Sequence, residues 1–306
     1  MRQTNELIKR NFRLYIRDGG KIFFSMLAML ILVILMLVFL GKMNISEIVD
    51  LFAQFGVPEE SIKSSAEQYV LWWTVAGLLA VNTITIPLGG INTMINDVEE
   101  GRMASFLVSP ASRLSIAVGY IGASWLATMF MDVLCLAASE AVVVAKGAEL
   151  LTFGRHALVI AILALNSFLY STLMYFVAQL VRTSGAWGGF GTIVSTLAGF
   201  LGGIYIPLGS LSDAVQTGMK CTPVLHSVAA MRQVMCDGSA DKMFALLPAE
   251  VSSQVRDEYE LIMGVRIAVG ENTLSLGAEL AIIAVCGIII LAAAVLLANR
   301  KRKSDR

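Results

Sequence analysis

Few side chains in this sequence are of types suited to chemistry, and their spacing limits what they can do. Glu99 and Glu100 are adjacent acids, Asp132 and Glu140 are acids inside an apolar run, and His156 and His226 are the two histidines. Paired glutamates serve intramembrane proteolysis when an arginine follows a fixed turn later and histidine or asparagine motifs lie on neighbouring spans. Arg102 follows too early for that, and the pair falls in a charged stretch between apolar runs rather than inside one. Two separated histidines make neither a metal site nor a nucleophile–base relay, which need more converging groups. No G-x-x-x-x-G-K-[ST] loop occurs, so the chain has no P-loop nucleotide site of its own. The residues left are amides, hydroxyls and acids placed along apolar segments, where the chemistry is recognition and passage.

The elements that must position them follow from composition. Hydrophobic residues make up 57% of the 306, charged residues only 15%, against about 25% charged in an ordinary soluble domain. Mean hydropathy is +0.74. Crossing the hydrocarbon of a bilayer takes about 20 apolar residues per helix. The apolar runs, uncharged except for Asp132 and Glu279, predict an all-α integral membrane protein with six transmembrane helices, at 22–41, 70–93, 115–138, 157–180, 187–207 and 278–298. The first is too long for a signal h-region and lacks a clean cleavage pattern, so it is read as retained. Residues 1–21 predict an amphipathic helix, with Ile8, Phe12, Tyr15 and Ile16 on one face and Lys9, Arg10, Arg13 and Arg17 around the rest. Such a helix is expected to lie in the headgroup layer as an anchor, or to join a cytoplasmic partner to the first span.

Lysine and arginine set the orientation. They crowd the short segments at the N-terminus, at Arg102, Arg113 and Arg182, and in the basic tail 299–306. The opposite loops are longer and more dilute in them. The positive-inside rule then puts both termini and the stretch 96–113 in the cytoplasm of a multi-pass plasma-membrane protein, and 208–277 outside as a re-entrant or helical segment. Lysine plus arginine equal aspartate plus glutamate at 23 each, which leaves no bulk electrostatic case for nucleic acid. Cys221 and Cys236 share the outer segment, so a disulfide is left open.

Two stripes stand out inside the spans. Asn82, Thr85, Gly89 and Asn92 follow one face of the second. Gly188, Thr192, Ser195, Gly199 and Gly202 follow one face of the fifth. Small and hydroxyl residues let helices approach closely in lipid, so packing is one reading and the lining of a path is the other. Asp132 is an intramembrane acid, a functional candidate that is protonated, paired or in a watery cavity.

The stretch NDVEEGRMASFLVSPASR, residues 96–113, resembles the cytoplasmic loop of ABC-2-type permeases, the membrane subunits of type-2 ABC exporters. Asp97, Glu99 and Gly101 fall on the family's acidic pattern, though Asp97 replaces a glutamate and Arg102 a common threonine. Leu107, Ser109, Pro110 and Arg113 fall on the pattern that follows. A second marker, GGIYIP with a later proline and arginine, matches through Gly202, Gly203, Tyr205, Pro207, Pro223 and Arg232.

The resemblance implies a motor that this chain lacks. Two permease subunits, as homodimer or heterodimer, would pair with two ABC-type ATP-binding subunits, which carry the ATP and Mg; the chain itself needs no cofactor or metal. Residues 96–113 would form a coupling helix seated on the ATPase, docking through Asp97, Glu99, Glu100, Gly101, Arg102, Phe106, Leu107, Pro110 and Arg113. Asn82, Thr85, Asn92, Thr192, Ser195 and Asp132 would serve the path. The cargo expected is hydrophobic or amphipathic: drug, lipid or peptide. A stand-alone secondary transporter or channel, with Asp132 coupling an ion, and an intramembrane protease are the alternatives.

Overall fold

The computed structural model describes residues 2–35, 41–108 and 112–304, with the side chains at 2, 21, 28–30, 32–35, 107–108 and 300–304 outside the description. In chain order the helices are α1 (Arg2–Arg17), α2 (Gly19–Leu35), α3 (Gly41–Ala53), α4 (Glu59–Glu99), α5 (Arg102–Val108) and α6 (Arg113–Ala145). There follow α7 (Phe153–Ala178), α8 (Ser184–Leu201), α9 (Asp213–Lys220), α10 (Pro223–Phe244), α11 (Ala249–Ile262) and α12 (Leu276–Ser304). The all-α expectation needs one small addition, an antiparallel ribbon of β1 (Ala268–Val269) and β2 (Asn272–Thr273).

The 41 residues of α4 make a rod of about 60 Å, twice the thickness of bilayer hydrocarbon. It is the centre of the bundle, with α3, α6, α7, α8 and α10 packed around it. Pro87 sits inside it without ending it. Proline removes one backbone donor, a loss tolerated in a membrane helix where neighbouring helices and hydroxyls re-satisfy the backbone.

Four helices are long and apolar enough to cross a membrane among the described residues: Glu59–Glu99, Arg113–Ala145, Phe153–Ala178 and Leu276–Asn299. Two of the six expected spans do not reach that mark. α2 has 17 residues, and the end expected for it falls on 36–40, outside the described residues. α8 has 18, diluted by glycines and hydroxyls, and the chain leaves the helix at Gly202 rather than running on to 207.

The apolar face of α1 is packed on protein. Leu7 and Tyr15 are buried, and α1 lies along α6. A Cβ built on Gly119 would stand 2.8 Å from the Leu7 Cβ, so only glycine there lets the two helices come this close. The apolar face of this helix therefore meets protein at Leu7 and Tyr15.

The segment after α8 is expected to be re-entrant or helical. It holds the short α9 and the 22-residue α10, which is buried against α4, α7 and α12. From Pro223 to Ala240 no position of α10 is exposed, so this stretch shows no amphipathic period. Its Arg232 is 0% exposed and pairs with no carboxylate among the described residues. The guanidinium donates to the carbonyls of Gly203 (2.9 Å), Met263 (3.2 Å) and Gly264 (3.4 Å) and lies 3.9 Å over the Trp73 ring. One side chain thereby ties the exits of α8 and α11 to α4. His226 joins α10 to the first turn of α12 through Glu279 (2.5 Å). Burial opposes charge on His226, and the hydrogen bond to Glu279 outweighs it, raising the pKa. Arg256 braces α11 on α10 through Asp237 and Asp241. Cys221 and Cys236 are free thiols, so the disulfide left open is not formed: Cys236 is buried in the core and Cys221 is exposed at the end of α9.

Candidate functional site

The charged stretch begins as helix, not loop. α4 continues through Asn96, Asp97 and Glu99, with Glu100 as its C-cap. Gly101 then takes φ of +75°, a left-handed conformation that other residues rarely adopt, and α5 starts at once. Ser112 caps α6 by accepting from the Ser115 N–H at 3.0 Å.

Asp97 faces inward and is 0% exposed. Its carboxylate accepts two parallel bonds from Arg10 (2.8 and 2.9 Å), one from Arg102 Nε (2.7 Å) and one from the Tyr120 hydroxyl (2.6 Å). Two-pronged arginine–carboxylate pairing is among the strongest polar contacts a protein makes. The hydrogen bond to Asp97 raises the Arg102 pKa, so this cation is permanent. The Arg10 guanidinium also lies 5.2 Å from the Phe106 ring centroid. A single carboxylate therefore hangs α5 and α1 from the end of α4 and the start of α6.

The other docking candidates divide. Glu99, Glu100, Gly101 and Arg102 are exposed, as are Ala104 and Ser105. Glu99 also accepts from the Ser184 N–H (2.9 Å) at the start of α8, and Glu100 pairs with Arg102. Phe106 is half-buried beneath Arg10, so it braces α5 from behind. Arg113 is also half-buried, and donates to the Ala298 carbonyl of α12 (3.3 Å). The Leu107 side chain and Pro110 lie outside the described residues.

The polar stripe of α4 has a distinct place. Between residues 70 and 95 every position is buried except Asn82, Thr85, Gly89 and Asn92. Thr85, Gly89 and Asn92 line an open groove of about 410 Å³, completed by Trp187, Gly188 and Gly191 of α8 and by Tyr15, Phe24 and Ser25. Trp187 holds α8 in register by donating to the Leu88 carbonyl at 3.0 Å. Thr192 and Ser195 are exposed on α8 beyond the groove, beside Ile193 at 60% and Phe200 at 52% exposure. Asp132 is buried between α6 and α7, accepts from Ser167 (3.1 Å) and does not line the groove.

No group of three or more metal-ligating side chains converges among the described residues. Each histidine meets a carboxylate, His156 meeting Glu140 at 2.5 Å and His226 meeting Glu279. Sequence reasoning did not find Arg10, Tyr120 and Trp187 as parts of these sites. Arg10 read as one more cation on a basic face, and nothing local marks a bond to a residue 87 positions away.

A multi-helix membrane protein with a suspended charged turn at one end, and along its central helix a largely apolar groove that Thr85 and Asn92 line, belongs to the class of permeases. A family model described as ABC-2 type transporter matches residues 2–236, and the chain belongs to that family. It is the membrane-embedded permease component of an ABC transporter, a family that usually works with an ATP-binding subunit. No curated protein matches the chain.

Proposed function

We propose that this chain is the membrane subunit of an ATP-driven exporter in the cell membrane, moving a hydrophobic or amphipathic substrate outward by alternating access. The observation that carries this reading is the single unburied seam of α4, which is polar and opens on the groove. A central helix buried on every other side has one surface left for cargo. In this reading α2 and α8 complete six spans, both termini are cytoplasmic, and a second permease subunit covers the exposed face of α8 around Thr192 and Ser195. The separate ATPase, carrying ATP and Mg, grips the exposed surface formed by Glu100, Gly101 and the start of α5 to Ser105. Its closure pushes α5, and the link through Asp97 passes the push to α1 and α6. Driving such a two-state machine requires that the motor bind the two states differently. The stand-alone transporter gains no support from Asp132, whose contact is with Ser167 and whose place is off the groove.

The test expresses the chain together with an ABC-type ATP-binding subunit that copurifies with it. Thr85→Phe together with Asn82→Leu is expected to lower efflux of a lipophilic dye and of a fluorescent short-chain phospholipid at least tenfold, while the complex still assembles. Loss of assembly instead would make the seam a packing surface. Ser105→Trp with Glu100→Lys is expected to remove the ATPase from the purified complex and leave the bundle folded, as judged by gel filtration. Unchanged recruitment would place the motor elsewhere.

A further inference from the structure

We propose that the cavity behind α5 binds one anionic phospholipid, its phosphate at Arg182 and Arg113 and an acyl chain among Met94, Met103, Ile116 and Tyr175. The ends of α4, α5, α6, α7 and α12 enclose about 390 Å³ here, within the usual range for a small-molecule site. The lining combines apolar side chains with two arginines and a glutamine, and contains no acid. Arg182 is exposed and forms no ion pair with a described carboxylate. A cationic mouth on an apolar body fits an amphiphile with a negative head. Basic pockets between helices at the cytoplasmic border are where anionic headgroups bind.

The cavity is separate from the groove. Met94 follows Thr85 by nine residues, which places it on the opposite face of α4. It also reaches the coupling element, because Met103 belongs to α5. A lipid chain seated there supports α5 from the side away from the motor, so the membrane's charge composition tunes coupling. The proposal rests on the topology above only for the leaflet that supplies the lipid.

The full chain, stripped of lipid in mild detergent, is titrated with dioleoylphosphatidylglycerol and read by native mass spectrometry. One saturable adduct per chain is expected, with none from dioleoylphosphatidylcholine at the same mole fraction. Arg182→Gln should weaken it about tenfold, as loss of a charge-assisted bond does, and Arg182→Lys should largely restore it. Val181→Trp, which fills the lining, should remove the adduct; because it alters packing, the exposed Arg182 pair is the deciding comparison. Equal adducts from the two lipids would mean annular contact and overturn the site. So would competition by inorganic phosphate at the lipid's own affinity, or an adduct indifferent to Arg182. Retention reads the cavity whether or not an ATPase docks. Labelling of Ser105→Cys, made with Cys221→Ser to remove the exposed native thiol, by a membrane-impermeant thiol reagent on intact cells would sink the topology and leave the lipid result standing.

Discussion

Asp97→Ala is expected to release α1 from the bundle and uncouple α5, with efflux falling more than tenfold although the spans remain folded. Removing one partner of a buried ion pair costs about 3–5 kcal/mol. Arg10 is 33% exposed here, so water recovers part of its solvation and about 2–3 kcal/mol is the better expectation. Hydrogen exchange along residues 2–17 reads this directly, as a loss of protection of about 30-fold or more. Asp97→Asn keeps the shape without the charge and should fall between. Arg10→Ala and Asp97→Ala should be far from additive, because each removes the same contact. Full additivity would mean that α1 is held by its apolar face against Gly119 and Gly122 alone.

Arg232→Ala is expected to have the largest effect on stability, about 3–5 kcal/mol, read as a lower melting temperature in detergent and as loss of full-length protein from the membrane. The sign needs argument, since an unpaired buried cation is itself costly and burial pushes its pKa down to about 9. Two terms oppose relief from that cost. The carbonyls of Gly203 and Gly264 lose their side-chain donor, that of Met263 keeps only the Trp73 indole N–H (2.9 Å), and the space over Trp73 becomes a cavity. Arg232→Met separates them: it refills most of the volume and restores no hydrogen bond, so it should recover only part of the loss. Arg232→Lys should also fail, because a point cation cannot fork between three carbonyls while stacking on an indole. A melting temperature unchanged in Arg232→Met would show that the hydrogen bonds contribute nothing net.

Much of the fold was legible because bilayer thickness imposes a length on every apolar run. The helical class and the positions of α4, α6, α7 and α12 follow from long apolar stretches with few or no charges. The stripe on α4 was legible because helical period puts Asn82, Thr85, Gly89 and Asn92 on one face whatever surrounds them. What surrounds them was not. The sequence reading left the stripe between packing and path, and only the burial of every neighbouring position separates it as a seam. The hub at Asp97 was hidden for a related reason. An acid beside Glu99 and Glu100 at the foot of a span reads as one of three surface charges, yet one helical turn decides that Asp97 points inward and the other two do not. α10 was hidden because a helix with no exposed position from Pro223 to Ala240 has no polar face there to give its period away.

The length of α4 has a mechanical consequence. One continuous helix carries both the carboxylate from which α5 hangs and the indole on which Arg232 rests, 24 residues apart. That is a shaft of about 36 Å with no loop to absorb a twist. A tilt of only a few degrees at its foot swings its head by about 3 Å, enough to strain or slip the carbonyl clasp at the opposite rim. Whatever grips one end of this permease has a handle on the other.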